Sequence, residues 1–260
     1  MDSSGSFNSD GDILMDTWPP ADVKWYYSDD YTAIAHGDCR KILPKMPKVD
    51  LVLTDPPYGM NLNVNFGSMK SKLFKGKTGG NNYSRVIGDD KPFDPSGFLH
   101  LSAEQFWFGA DYYFNKLPKD GSWLVWDKRL DDSADKMYGS CFELIWSKKK
   151  HKRDILRVKF SGIFGMEKQD VKKRIHPTQK PLALMNILIE KYSEVNQLIF
   201  DPFMGSGTTL RAAKDLERKA IGIEIEEKYC QIAADRLRQN VLPLGKTKML
   251  NKGIQSSLLD

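Results

Sequence analysis

The chain has 260 residues, 40% hydrophobic and 28% charged, with a formal net charge of +5, the usage of an ordinary globular domain with enough apolar content to bury a full core. No apolar run approaches the roughly 18 residues of a membrane span, and the N-terminus lacks the basic-then-apolar order of a signal peptide. Three cysteines without CxxC spacing and four histidines without HxxxH or HxE spacing exclude a disulfide framework and a metal cluster, so a cytoplasmic, metal-free protein is expected.

In chain order, residues 1–24, rich in Ser, Gly and Asp near a Trp-Pro-Pro, read as a disordered tail, and 245–260 as another. Between them, 25–244 reads as one α/β domain. Strands are predicted at 32–36, 49–54, 123–126, 142–146, 198–200 and 220–225, and helices at 182–192, 208–219 and 227–240. Such alternation implies a doubly wound, mostly parallel sheet whose ligands collect at the carboxyl ends of the strands.

The run at 49–54 ends in Asp55, Pro56, Pro57 and Tyr58, a carboxylate and an aromatic ring on a very stiff linker at a core strand's tip. Next comes an aperiodic stretch at 60–88 whose cations, Lys70, Lys72, Lys75, Lys77 and Arg85, meet no acid from 61 onward. A second basic run over 147–180 includes Lys149, Lys152, Arg153, Lys173 and Arg174. Either run alone reads as a solvated face. Together they favour a polyanion, with contact segments near 60–90 and 147–175.

The run at 198–209, LIFDPFMGSGTT, ends a strand in Asp201, turns through Phe203, Gly205 and Gly207, and enters a helix near Thr208. Backbone N–H groups and close-approach space would therefore face a ligand. No lysine follows the glycines, as a P-loop requires, and Leu210 stands where a dinucleotide fingerprint needs a small residue. Asp201 would repel a pyrophosphate but attract a cation, which suits the sulfonium and ammonium of S-adenosylmethionine. Glu224, at the tip of the next predicted strand, is placed to accept a ribose diol.

A methyl donor needs a nucleophile. Asp55 and the Pro56 carbonyl could accept the two N–H groups of an exocyclic base amine, freeing its lone pair for in-line attack, while Tyr58 stacks on the ring. A base in a duplex must be flipped out to reach such a pocket.

With HGDC at 36–39, TDPPYG at 54–59, IHPTQKP at 175–181, FDPFMGSGTT at 200–209 and GIEI at 222–225, the sequence resembles the permuted, beta-group DNA amino-methyltransferases, adenine-N6 type, of bacteria and phages. The resemblance implies a Rossmann-like, seven-stranded sheet with one antiparallel edge strand. It fits a hairpin pairing of 142–146 with 155–160. It makes Asp55, Pro56, Pro57 and Tyr58 catalytic, and Asp201, Phe203, Gly205, Gly207, Thr208 and Glu224 cofactor-binding. It adds Asp38 and Cys39 as contacts to the cofactor's adenine, and Lys180 beside its methionine carboxylate. The implied partner is double-stranded DNA, and relatives often work as homodimers.

Cytosine-N4 methylation presents the same two N–H donors, but the resembled cytosine enzymes favour Ser where Asp55 stands. Cytosine-C5 chemistry needs a nucleophilic cysteine after a proline, which none of the three provides. An RNA amine remains a further substrate, although related RNA enzymes usually place the cofactor motif first.

Overall fold

The computed structural model describes residues 17–61, 85–129, 140–158 and 179–239. Among these, the strands are β1 (Trp25–Ser28), β2 (Thr32–His36), β3 (Leu51–Thr54), β4 (Glu104–Phe108), β5 (Ser122–Asp127), β6 (Phe142–Ser147), β7 (Asp154–Arg157), β8 (Leu198–Asp201) and β9 (Lys219–Glu224). They form one sheet in the order β1-β2-β9-β8-β3-β4-β6-β5-β7. The helices are α1 (Cys39–Ile42), α2 (Leu182–Tyr192), α3 (Thr208–Asp215) and α4 (Glu227–Arg238).

The central strands are apolar on both sides because both faces are covered. Alternate residues feed two cores: Ile34, Leu51, Leu53, Phe106 and Phe108 pack with α2, α3 and α4. Ala33, Ala35, Val52, Trp107 and Phe200 face the other way, onto Phe93, Phe98 and Tyr113. The packing is tight where the glycine turn meets β9, since a Cβ on Gly222 would fall 2.5 Å from the Met204 sulfur and 2.8 Å from Leu210.

β3 pairs in parallel with β8 (Leu51↔Ile199, Val52↔Phe200) and with β4 on its other side. The chain leaves β3 towards β4 and leaves β8 towards β9, so successive connections diverge between β3 and β8. That divergence is a topological switch point, where an open α/β sheet leaves a crevice beyond its strand ends.

Three expectations change. Among the described residues the sheet has nine strands rather than seven, with antiparallel strands both at an edge, where β1 pairs with β2, and inside, where β6 runs against β4 and β5. The expected hairpin does not form: β5 lies between β6 and β7, holding β6 through six residue pairs from Ser122↔Ser147 to Asp127↔Phe142 and running parallel to β7. Burial explains the choice, because Ile145 and Trp146 of β6 need a partner strand on each side. β4 was not anticipated, its start being disguised by Glu104 and Gln105. The buried Gln105 amide donates to the Phe98, Leu99 and Ser102 carbonyls and its oxygen accepts from the Trp107 indole, so its polarity is satisfied inside the core.

Candidate active site

Asp55 follows β3 directly and Asp201 ends β8, so the parallel register sets them side by side. The Thr54 hydroxyl donates to Asp201 Oδ1 at 2.7 Å and joins the two tips. Both aspartates, with Asp38, Cys39, Phe203, Gly205 and Glu224, line one cleft of about 1210 Å³. A single small-molecule pocket is typically about 300–1,000 Å³, so this one has room for a cofactor and a base together.

The DPPY turn is rigid beyond its prolines. Asp89 Oδ1 accepts the Gly59 N–H at 2.9 Å and the Met60 N–H at 3.1 Å, and Gly59 has φ +80° with Lys91 carbonyl oxygen 2.5 Å from where a Cβ would stand. Gly109, just past β4, receives the Tyr58 ring where a Cβ would be. The ring also stacks on Tyr112, with centroids 5.2 Å apart and planes 9° from parallel. Its hydroxyl donates to Asp55 Oδ1. Burial and the Asp55 charge push the phenol well above its usual range, which keeps it a donor.

Asp55 Oδ2 accepts from Lys180 Nζ at 2.5 Å. Lys180 Nζ is also 3.4 Å from Glu143 Oε2, and Glu143 Oε1 accepts from Lys128 Nζ at 2.6 Å. Charges thus alternate along Asp55, Lys180, Glu143 and Lys128. Burial raises the Asp55 carboxyl against the pull of Lys180. Burial alone would lower the Lys180 ammonium, but Asp55 and Glu143 hold it above its usual value. Burial also opposes charge on Glu143, yet Lys180 and Lys128 bring it below the usual carboxylate range.

The other half of the cleft is formed by the glycine turn after β8 and the tip of β9. Gly205 and Gly207 have φ +52° and +75°, and a Cβ on Gly207 would lie 2.7 Å from Ala233 of α4. Arg236 of α4 donates to the Ser206 carbonyl at 3.1 Å and the Thr208 hydroxyl at 3.0 Å, clamping the turn. Asp201 is engaged inward: Oδ1 accepts from Thr54 and the Phe203 N–H, and Oδ2 from the Thr209 hydroxyl. Burial pushes its carboxyl up to about 6. Glu224 Oε1 accepts the Glu226 N–H at 2.7 Å, and burial pushes that carboxyl up to about 7. Asp38 caps α1 through the Arg40 N–H at 3.0 Å and lines the cleft. Buried Cys39 has its thiol pushed up to about 12 by burial, which keeps it inert.

Acidic groups over a glycine turn that spares room for backbone approach suit a cofactor with a ribose and a cationic sulfonium, so the residues present fit S-adenosylmethionine. Lys180, expected beside the cofactor's carboxylate, is paired with Asp55. Lys70, Lys72, Lys75, Lys77, Lys173 and Arg174 lie outside the described residues. Arg85 is exposed beside Val86 and Ile87 of the cleft wall. Lys149, Lys152 and Arg153 are exposed at the opposite end of the sheet: reversed β6 finishes beside Ser122, at the amino end of β5, and the His151 carbonyl accepts from the Ser122 hydroxyl. Sequence reasoning missed Glu143, Lys128 and Tyr112. A glutamate inside the otherwise apolar FELIW was the available signal for the first.

Fold and cleft together define a group-transfer enzyme that handles a nucleoside cofactor at a switch point. The DNA methylase family model matches residues 109–235. Type II methyltransferase M2.LlaDCHI of Lactococcus lactis subsp. cremoris is 28% identical over 274 residues, spanning 88% of this chain and 95% of its own. Type II methyltransferase M.HinfI of Haemophilus influenzae is 26% identical over 259 residues, spanning 84% and 71%. The fold is also that of a solved PvuII DNA methyltransferase, cytosine-N4-specific, with TM-score 0.57, 17% identity and 84% of this chain and 90% of that one covered. Family model, relatives and fold agree on a DNA methyltransferase activity for this chain.

Proposed function

We propose that the chain transfers a methyl group from S-adenosylmethionine to the N6 amine of an adenine flipped out of double-stranded DNA, as a site-specific enzyme of restriction-modification type acting in the cytoplasm. The observation that carries the reading is the shared cleft, in which the half-buried Asp55 carboxylate on its diproline turn and the glycine turn with Glu224 line the same walls. When bound, the cofactor supplies an electrophilic methyl group. Gly205, Gly207 and Glu224 would hold it, with Glu224 accepting from the ribose and Asp201 fixing the turn from behind.

Asp55 accepts one N–H of the target amine and the Pro56 carbonyl the other. That pairing localises the nitrogen lone pair, and the rigid turn aims it. The Tyr58–Tyr112 stack offers an aromatic platform for the base, worth on the order of 1–3 kcal/mol per stacked base. This offsets much of the few kcal/mol that flipping costs. Asp at position 55, where the resembled cytosine enzymes favour Ser, favours adenine.

Among the positions expected to hold DNA, Arg85 and the stretch at 62–84 flank the DPPY turn in sequence. The test is methyl-tritiated cofactor with mixed DNA and RNA, then nucleoside digestion and mass analysis. Label in N6-methyldeoxyadenosine is expected. Label in N4-methyldeoxycytidine would reassign the base, and label in RNA the substrate.

A further inference from the structure

Asp55 is occupied before any substrate arrives. One oxygen accepts from the Tyr58 hydroxyl and the other from Lys180 Nζ at 2.5 Å, so an incoming amine N–H meets two donors at the acceptor it needs. Lys180 is only 7% exposed, and an ammonium that deep cannot simply be pushed aside, because a buried charge without a partner is strongly unfavourable. It needs somewhere else to go.

Glu143 supplies that place. It enters the cleft from the start of β6, which reaches the carboxyl end of the sheet only because that strand runs backwards. Its Oε2 is buried, 3.4 Å from Lys180 Nζ, out of line for a hydrogen bond, and accepts none among the described residues. Its Oε1 is held by Lys128, so the carboxylate is fixed with its open oxygen within reach of the ammonium.

We propose that Glu143 is a positioning residue that takes over the Lys180 ammonium from Asp55 when the target amine binds. Lys180 keeps its proton and moves by about the difference between an ion-pair approach and a hydrogen bond, within the flexibility of a lysine stem. The buried cation is paired before and after, and Asp55 Oδ2 is released to accept the amine N–H. Lys180 thereby holds Asp55 in place in the free enzyme without blocking it in the complex.

The inference rests on the reading that the target amine engages Asp55, and a double-mutant cycle separates the two. Wild type, Glu143→Gln, Lys180→Gln and the double variant are compared in single-turnover methyl transfer, with active sites counted by cofactor binding so that misfolded protein does not enter the rate. Glu143→Gln is expected to slow transfer about 100-fold. In the Lys180→Gln background, where no ammonium must be relocated, the same change should cost no more than about threefold. Glu143→Asp should recover most of the loss.

A second readout needs no cofactor: the affinity ratio between a duplex holding the target base and the same duplex abasic there. Glu143→Gln should erase the preference for the base while leaving abasic-duplex affinity unchanged. Equal slowing in both backgrounds, or an unchanged ratio, would overturn the proposal while leaving Asp55 as the amine acceptor. Wild-type protein that transfers no methyl group to DNA would remove both readings.

Discussion

Two aspartates stand at neighbouring strand tips, and they share a raised carboxyl and one cleft, yet their surroundings differ. Asp201 is met by uncharged donors, two threonine hydroxyls and a backbone N–H, all from its own fold. Asp55 is met by a lysine whose charge is divided between two carboxylates, and by a phenol. Neutral donors lock a carboxylate in place, whereas a shared cation leaves it exchangeable. Position at a tip therefore identifies a candidate, and the charge of its partners sorts scaffold from chemistry.

Breaking the contrast at its reactive end has the largest expected effect. Asp55→Ala should slow single-turnover transfer by about 10³-fold, on the scale of losing a preorganised electrostatic contact, while calorimetric cofactor affinity is unchanged. Lost cofactor binding would mean that the two tips are not distinct in role.

Asp201→Ala should do the reverse. It strands the Thr54 and Thr209 hydroxyls and the Phe203 N–H, so denaturant unfolding should show a loss of about 3 kcal/mol together with weakened cofactor binding. Gly207→Ala should cost about 2 kcal/mol and loosen the same turn, since a Cβ at φ +75° would crowd Ala233.

A pH titration sharpens the comparison further. Glu224 binds its proton more tightly folded than unfolded, so between its ordinary value of 4.5 and about 7 the folded state holds the extra proton. Its contribution to stability therefore falls as pH rises through that window. Cofactor affinity should move the opposite way, weakening roughly tenfold per pH unit below about 7 because the ribose is accepted by the ionised carboxylate. Glu224→Gln should flatten both profiles.

The smallest effects are expected at the surface. Arg85→Ala should reduce the salt dependence of DNA binding by about one charge. Combined replacement of Lys149, Lys152 and Arg153 should leave that slope unchanged, because they project from the sheet end remote from the cleft. A lowered slope in the triple variant would mean that DNA reaches that end as well.

Much of this was legible in the sequence because it is local. β3 with its DPPY turn, β8 with its glycine turn and α3, and β9 ending in Glu224 are each continuous short segments that carry their own punctuation. What was missed depends on distant pairing. Nothing local says that β5 separates β6 from β7, or that Gln105 is satisfied by three carbonyls of a preceding loop. The basic residues after β6 were read as DNA contacts, and the direction of that strand puts them at the sheet end remote from the cleft. The motif gave Lys180 a place beside the cofactor, and only the fold shows that it also lies between the carboxylates of Asp55 and Glu143.

Reversing a single interior strand has an architectural consequence. A purely parallel sheet offers the rim of its cleft only the segments that follow each strand, and every additional one requires a crossover. With β6 turned around, the connection from Asp127 to Phe142 both departs from and returns to the rim. The rim thus receives both ends of one connection, and the hydrophobic layers beneath need no extra crossover to supply it.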